Sequence, residues 1–466
     1  MSDELAFATA LDLAAKVRAR EVSSLELVDL YLERIERLDP QLNAYVTVDA
    51  DGARAAARAA ETPSEAPFHG VPLPIKDVHE TAGLRTTYST KAYADNVPAF
   101  DAAAVRRLRE AGFVFLGKTN TPELGTIAQT ESELNGACRN PWNTELTPGG
   151  SSGGAAAAVA AGLAPAAHGS DGGGSIRTPA SCCGLVGLKP SRGRVSPAPF
   201  GGGGLGLTTQ GPLARTVRDA AALLDAMAGY EPGDFFVAPA PERPFLAEAG
   251  ADPGHLRIAW TTEPPLQVAV DPECVAAAAG TADLLAELGH EVVEATPPWQ
   301  SDEVVAAFIR VWQVGPATAG IDDLSLLEPI NRALAEQARA TPSPELALAV
   351  AQLQSTVRTI VAFWRDVDVV VTPTLALQPV PIGWTYEDTD GDPHLAFARQ
   401  TLFTPFTPLV NVTGQPAVSL PLHWTGENVP IGVQLIGRPF ADAPLIRLAA
   451  QLEQARPWAD RRPPVS

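Results

Sequence analysis

Two serine-bearing glycine segments, GGSSGG at residues 149–154 and DGGGSIR at 171–177, carry the residues best suited to chemistry. Ser151 and Ser175 stand 24 residues apart in the chain. Glycine leaves amide N–H groups unshielded and accepts conformations that side chains forbid, which suits a reacting carbonyl held against main-chain donors. Both segments are therefore expected to supply such donors. In the second, the amides of Gly172, Gly173, Gly174 and Ser175 could surround an anionic oxygen. Ser175 would still need a base, and the nearest histidine in sequence is His168.

Two sources of a base are open. Lys76 ends the apolar run VPLPIK, which would draw its ammonium toward a buried sheet end. Burial disfavours the charged form, and lowering a lysine from about 10.4 by roughly 3 units costs about 4 kcal/mol. A neutral Lys76 could take a proton relayed by a serine. The bland alternative is a lysine paired with Asp77. The second source is histidine: GGSSG also fits GxSxG with either Ser151 or Ser152 central, and His423 is the best downstream partner for a Ser-His-Asp site. That loop, however, follows TPGG rather than an apolar strand. Asp171 and Arg177 flank Ser175, and an ion pair pinning the loop is their expected role. Residues 112–119, GFVFLGKT, satisfy a phosphate-loop expression, but their Phe-Val-Phe-Leu interior reads as a strand.

The chain has 466 residues, 45% hydrophobic and 19% charged, with no long apolar run free of polar breaks, so a globular protein without a membrane span is expected. The start, MSDELAFATALDLAAK, lacks a basic segment followed by an apolar core, which points to the cytoplasm. A net charge of −20 disfavours nucleic acid as a partner. Four scattered cysteines, Cys138, Cys182, Cys183 and Cys274, read as core residues rather than a disulfide framework or metal site. Lysine occurs only at 16, 76, 91, 118 and 189, so each one invites a reason why arginine was not used.

The elements that must position these residues follow from periodicity. Residues 8–38 form a helical hairpin broken near Glu21, with Ser23 and Glu26 spaced as a capping box. Strands are expected at VPLPIKD, FVFLGKT, LRIAW, VDVVVTPT, PAVSLPL and PIGVQLIG. Between them lie helices at DAAAVRRLREAG, after GGSSGG, and at CVAAAAGTADLLAELG. This is an α/β pattern. Residues 301–365 are helical without strand signals, 375–400 are rich in Pro, Asp and Gly, and the two together read as a cap. The Gly run at 199–207 reads as a loop.

Taken in order, Lys76 in PIKD, GKTNTPELG at 117–125, PGGSSGG and DGGGSIRTPASCCGLVGLKP resemble the amidase signature family of serine hydrolases. RNPWN, PSRGRVSPAPF and ARTVRDAAALLDAMAGYEPGD are most similar to bacterial members of the nylon-oligomer hydrolase type, close to aryl acylamidases and urethane-cleaving amidases. The resemblance implies one domain over 1–466 with a central mixed, twisted β-sheet covered by helices on both faces. Its signature core would span 70–200 and its helix-rich cap 301–400. It implies hydrolysis of amide C–N bonds, with carbamates as further candidates, by a Ser-cisSer-Lys triad of Ser175, Ser151 and Lys76. Ser152, Asp171 and Arg177 would support it. The oxyanion hole would be the amides of Gly172, Gly173, Gly174 and Ser175. Gly125, Thr126 and Ile127 would line the acyl pocket. No cofactor or metal is implied, the partner is a small-molecule substrate, and homodimers are common in the family. A glutamine-dependent amidotransferase subunit carries the same signature and stays open as an alternative.

Overall fold

The computed structural model describes residues 2–201 and 203–466. The chain opens with the expected helical hairpin, helices Ala10–Arg18 and Ser24–Leu42. Ser23 caps the second helix by accepting the Glu26 amide, while the Glu26 carboxylate accepts the Ser23 amide at 2.7 Å. This reciprocal box fixes where the helix starts. Leu27, Val28, Tyr31, Ile35, Leu38 and Leu42 recur at helical spacing and are buried.

Behind the hairpin stands a small sheet, β1 (Tyr45–Val48), β2 (Pro72–Lys76) and β3 (Val114–Thr119), in the order β1-β3-β2. β2 and β3 run parallel, joined through the helix Ala103–Glu110. All of β3 is buried, including Lys118, so the phosphate-loop pattern is a core strand, as its apolar interior foretold.

The main sheet adds β4 (Ala166–Asp171), β5 (Val186–Lys189), β6 (Thr209–Ala214), β7 (Arg257–Trp260), β8 (Glu291–Glu294), β9 (Val369–Pro373), β10 (Ala417–Trp424) and β11 (Pro430–Gly437). Its eight strands are ordered β4-β6-β5-β10-β11-β9-β7-β8. The pairs from β4 to β9 are antiparallel, whereas β9, β7 and β8 are parallel, so the sheet is mixed. Helices Arg177–Cys183, Val217–Met227, Pro272–Glu287 and Asp442–Ala455 flank it. β2 packs beside β4, which brings the ends of the two sheets together.

Two points depart from the sequence reading. The Gly run contains a helical turn at Gly203–Gly206, while Gly202 lies outside the described residues. β4 and β6 were not foreseen, because AAHGSD and TQGPLA lack the β-branched or aromatic residues that announce a strand. The segment Ser343–Arg365 is, by length and composition, apolar enough to cross a membrane, although Gln352, Gln354, Ser355, Thr356 and Arg358 interrupt its apolar run. In the fold its Ala349, Leu353, Ile360 and Trp364 pack into the core beside β9 and β11.

Candidate active site

Lys76 closes β2 and is fully buried. Its Nζ lies 2.7 Å from Ser151 Oγ and 3.0 Å from Ser170 Oγ, with the Ser170 carbonyl at 3.4 Å. Among the described residues it makes no ion pair. Asp77, the carboxylate expected to pair with it if Lys76 were only structural, instead accepts from the Thr87 hydroxyl at 2.5 Å and the Thr87 amide. Burial drives the Lys76 pKa down from 10.5 to about 7, against an opposing pull from Asp171. A lysine poised between its two forms near neutrality thus touches a serine hydroxyl.

The first glycine segment does not serve as expected. The amides of Gly149, Ser152, Gly153 and Gly154 donate to Thr147 Oγ1, the Ser175 carbonyl, Thr130 Oγ1 and the Asn120 carbonyl. These four amides are therefore committed within the fold, and in this segment only those of Gly150 and Ser151 have no protein acceptor among the described residues. The glycines are there for packing: a Cβ on Gly154 would sit 2.3 Å from the Asn120 nitrogen, and one on Gly153 would sit 2.2 Å from Thr130 Oγ1. Both open the helix Gly153–Ala160, which is buried along its whole length. This segment contributes a hydroxyl, Ser151, while Ser152 Oγ bonds the Ser170 carbonyl at 3.2 Å and ties the loop to β4.

The second segment leaves the end of β4. Asp171 accepts Arg177 Nε at 2.9 Å and Nη2 at 2.8 Å, both side chains fully buried. Although burial alone would raise its pKa, Arg177 and Asn411 hold the Asp171 carboxyl well below the usual range. Asp171 Oδ1 also accepts the Gly174 amide at 2.8 Å, so Gly174 leaves the expected set of oxyanion donors. Gly174 has φ +130, and a Cβ there would meet Thr407 Oγ1 at 2.3 Å, so the residue is needed for the turn. Among the described residues the amides of Gly172, Gly173 and Ser175 have no protein acceptor.

Ser175 stands where two cavities meet. The smaller, about 310 Å³, is lined by Ser151, Ser170, Gly172 and Ser175 with His79, Glu80, Tyr88, Gln210 and Trp312. The larger, about 680 Å³, is lined by Gly173, Gly174 and Ser175 beneath Trp299, Phe308, Trp312, Leu334 and Phe397. Gly125 and Thr126 border the first cavity, and Thr126 and Ile127 border the second. Helices from the 301–400 stretch therefore roof the larger space.

The histidine reading finds no support. His423 Nε2 is 2.6 Å from Glu273 Oε2, at the far end of β10, and the residue lines neither cavity. His79 and His168 lie near Lys76 with ring centroids 4.8 Å apart, but burial holds both well toward the neutral form, His168 at about 3. His168 bonds Gln210, not a serine. Sequence reasoning missed Asn411 and Gln434, whose amide oxygens accept Arg177 at 2.6 and 2.5 Å. The available signal was a lone amide side chain inside the apolar runs NVTG and PIGVQLIG.

An amidase family model matches residues 26–446 of the chain. The chain belongs to the amidase family. It is an amide-hydrolysing enzyme of the amidase signature type. The 6-aminohexanoate-cyclic-dimer hydrolase of Paenarthrobacter ureafaciens is 38% identical, covering 97% of this chain and 95% of that protein. An acylamidase of Rhodococcus erythropolis is 35% identical over 98% of this amidase and 97% of its own length. A solved structure of 6-aminohexanoate cyclic dimer hydrolase complexed with substrate superposes with a TM-score of 0.93 at 37% identity, covering 99% of each chain.

Proposed function

We propose that this amidase works through Ser175 as nucleophile, Ser151 as proton relay and Lys76 as base. The observation that supports this most strongly is a buried Lys76 that makes no ion pair and sits 2.7 Å from Ser151 Oγ, with its pKa lowered to about 7. Ser175 Oγ attacks the amide carbonyl carbon. Its proton passes to Ser151 Oγ as the Ser151 proton passes to Lys76 Nζ. The negative oxygen is held by the amides of Gly172, Gly173 and Ser175. The C–N bond then breaks as the Lys76 ammonium returns its proton through Ser151 to the departing nitrogen. Water attacks the acyl-Ser175 ester by the same proton path, releasing the carboxylic acid and restoring Ser175. A carbamate would follow the same steps to a carbonic or carbamic acid derivative.

The larger cavity, walled by Trp299, Phe308, Leu334 and Phe397, fits an apolar or aryl group, and the helices on either side of β9 within the 301–400 stretch act as the cap that shapes it, while β9 itself belongs to the main sheet. The 6-aminohexanoate and acylamidase names of the relatives agree with such substrates. The test is hydrolysis of a 4-nitroanilide panel with a matched aryl carbamate by wild type, Ser175→Ala, Lys76→Ala and His423→Ala. Loss of turnover in the first two variants only is expected. Survival of Lys76→Ala with loss in His423→Ala would replace the triad by a histidine mechanism.

A further inference from the structure

The smaller cavity contains a carboxyl group that amide hydrolysis does not use. Seven carboxylates are buried among the described residues: Asp77, Glu80, Glu123, Asp171, Asp219, Glu248 and Asp442. Asp171, Glu248 and Asp442 face arginines. Asp77, Glu123 and Asp219 make no ion pair, but each accepts at least two donors. Glu80 is 7% exposed, has no ion pair within 4.0 Å, and its carboxylate accepts a single protein hydrogen bond, from the Tyr88 hydroxyl. The nearby Lys118 ammonium is occupied by the His79 carbonyl and the Thr81 and Thr86 hydroxyls. A buried carboxylate is stable when paired, so one left short of partners in a cavity wall is complementary to a cation arriving from outside.

Two further observations bear on that wall. Tyr88 and Ser89 both have φ +52, consecutive non-glycine residues in the left-handed region. Such a backbone is strained for a residue with a side chain, and strain of this kind gathers where a side chain must be aimed. Here it turns the Tyr88 hydroxyl onto Glu80. The second observation concerns direction. Ser151 and Ser170 line the smaller cavity and not the larger, while Ser175 lines both. In the mechanism above, on which this inference rests, Ser151 delivers the proton to the departing nitrogen. The amine half of the substrate therefore lies in the smaller cavity, and the acyl half lies in the larger, apolar one.

We propose that Glu80, oriented by Tyr88, binds a protonated amino group on the leaving half of the substrate, so that the preferred substrates are apolar-acyl amides of short diamines. The net charge of −20 would also favour approach of such a cation. The experiment compares N-(4-aminobutyl)hexanamide with its neutral isostere N-pentylhexanamide, beside hexanoyl 4-nitroanilide, using wild type, Glu80→Gln and Tyr88→Phe. Wild type is expected to favour the cationic amide at least about tenfold in kcat/KM. Glu80→Gln should bring that ratio toward one, and Tyr88→Phe should lower it by less. A wild-type ratio at or below one, or a ratio that Glu80→Gln leaves unchanged, overturns the cation site while anilide turnover keeps the amide mechanism standing. Absence of turnover on all three compounds overturns the mechanism and the cation site together. Inhibition of wild-type anilide hydrolysis gives a reading that needs no variant: n-pentylammonium should bind at least about tenfold more tightly than n-pentanol, and equal inhibition overturns the proposal.

Discussion

Replacing Lys76 with methionine should remove activity and at the same time make the protein more stable near neutrality. The fold lowers the Lys76 pKa from 10.5 to about 7. At about 1.36 kcal/mol per unit, holding this lysine in its buried place costs roughly 5 kcal/mol at pH 7 and below. Between about 7 and 10.5 the unfolded chain carries a proton on Lys76 that the folded chain lacks, so this residue makes stability rise with pH through that window. Methionine has a similar length and no charge to desolvate. It forfeits the contacts to Ser151 and Ser170, each worth about 1 kcal/mol, which leaves a net gain of about 3 kcal/mol near pH 7. Lys118 and Lys189 are buried too but are present in both proteins and cancel. The variant's advantage should shrink by about 2–3 kcal/mol over two pH units within the window. Urea unfolding of Ser175→Ala and Ser175→Ala/Lys76→Met at several pH values measures the difference with catalysis removed from both. A difference that does not change with pH, or a methionine variant that is less stable near pH 7, would mean that Lys76 is protonated in the fold and does not act as the base.

The same titration governs turnover: kcat/KM should rise with pH through about 7 as Lys76 loses its proton, and a flat profile from about pH 6 to 8 contradicts the assignment. Arg177→Met should cost about 3–5 kcal/mol by leaving Asp171 buried without its cation, read by thermal or urea unfolding. In protein that still folds, the unscreened Asp171 should hold the proton on Lys76 more tightly and move the acid limb of the kcat/KM profile to higher pH. Gly174→Ala should lose at least about 2 kcal/mol of stability, because φ is +130 and the new Cβ would lie 2.3 Å from Thr407 Oγ1. Gly173→Ala, whose nearest new contact is 3.7 Å, should unfold close to wild type; equal losses in the two variants would contradict the packing account.

The parts of the fold with a strong local pattern could be read from sequence. The Ser23 and Glu26 box, the apolar strands β2, β3, β9 and β11, and the alanine-rich helices all fall where periodicity places them. β4 and β6 could not be read in this way, because what makes them strands is the pairing of His168 with Pro212 and Ser170 with Gln210, contacts made only after folding. The same limit applies at the site. Glycine content singled out both loops, yet it could not distinguish glycines that expose amides from those demanded by packing. Gly153 and Gly154 are small because Thr130 and Asn120 lie against them, and Gly174 has its amide on Asp171. Composition is identical in these cases, and only the third dimension separates them. Glu80 and Tyr88 carried no motif at all. Their interest comes from a cavity built by segments that run from Val78 to Ala319 in the chain.

Lysine usage is the exception, a compositional trait whose meaning survives into the structure. Lys16 and Lys91 are exposed and paired with Glu21 and Glu133, positions that arginine could fill. Lys76, Lys118 and Lys189 are buried, and burial lowers all three pKa values, to about 7, 8 and 7. Arginine could not take that path, because a guanidinium keeps its charge in any protein environment. Arg177 and Lys76, both beside the second glycine segment, differ on this basis. Arg177, permanently charged and forked, neutralises Asp171 and locks the turn that aims Ser175. Lys76 is brought toward its neutral form by desolvation, against a pull from Asp171 that persists with Arg177 in place. Without Arg177 that opposing field would be stronger. In the proposed mechanism the Asp171 and Arg177 pair would therefore bear on the charge state of the base as well as on the shape of the loop, which is why a residue pair with no proton to transfer belongs in the account of that mechanism.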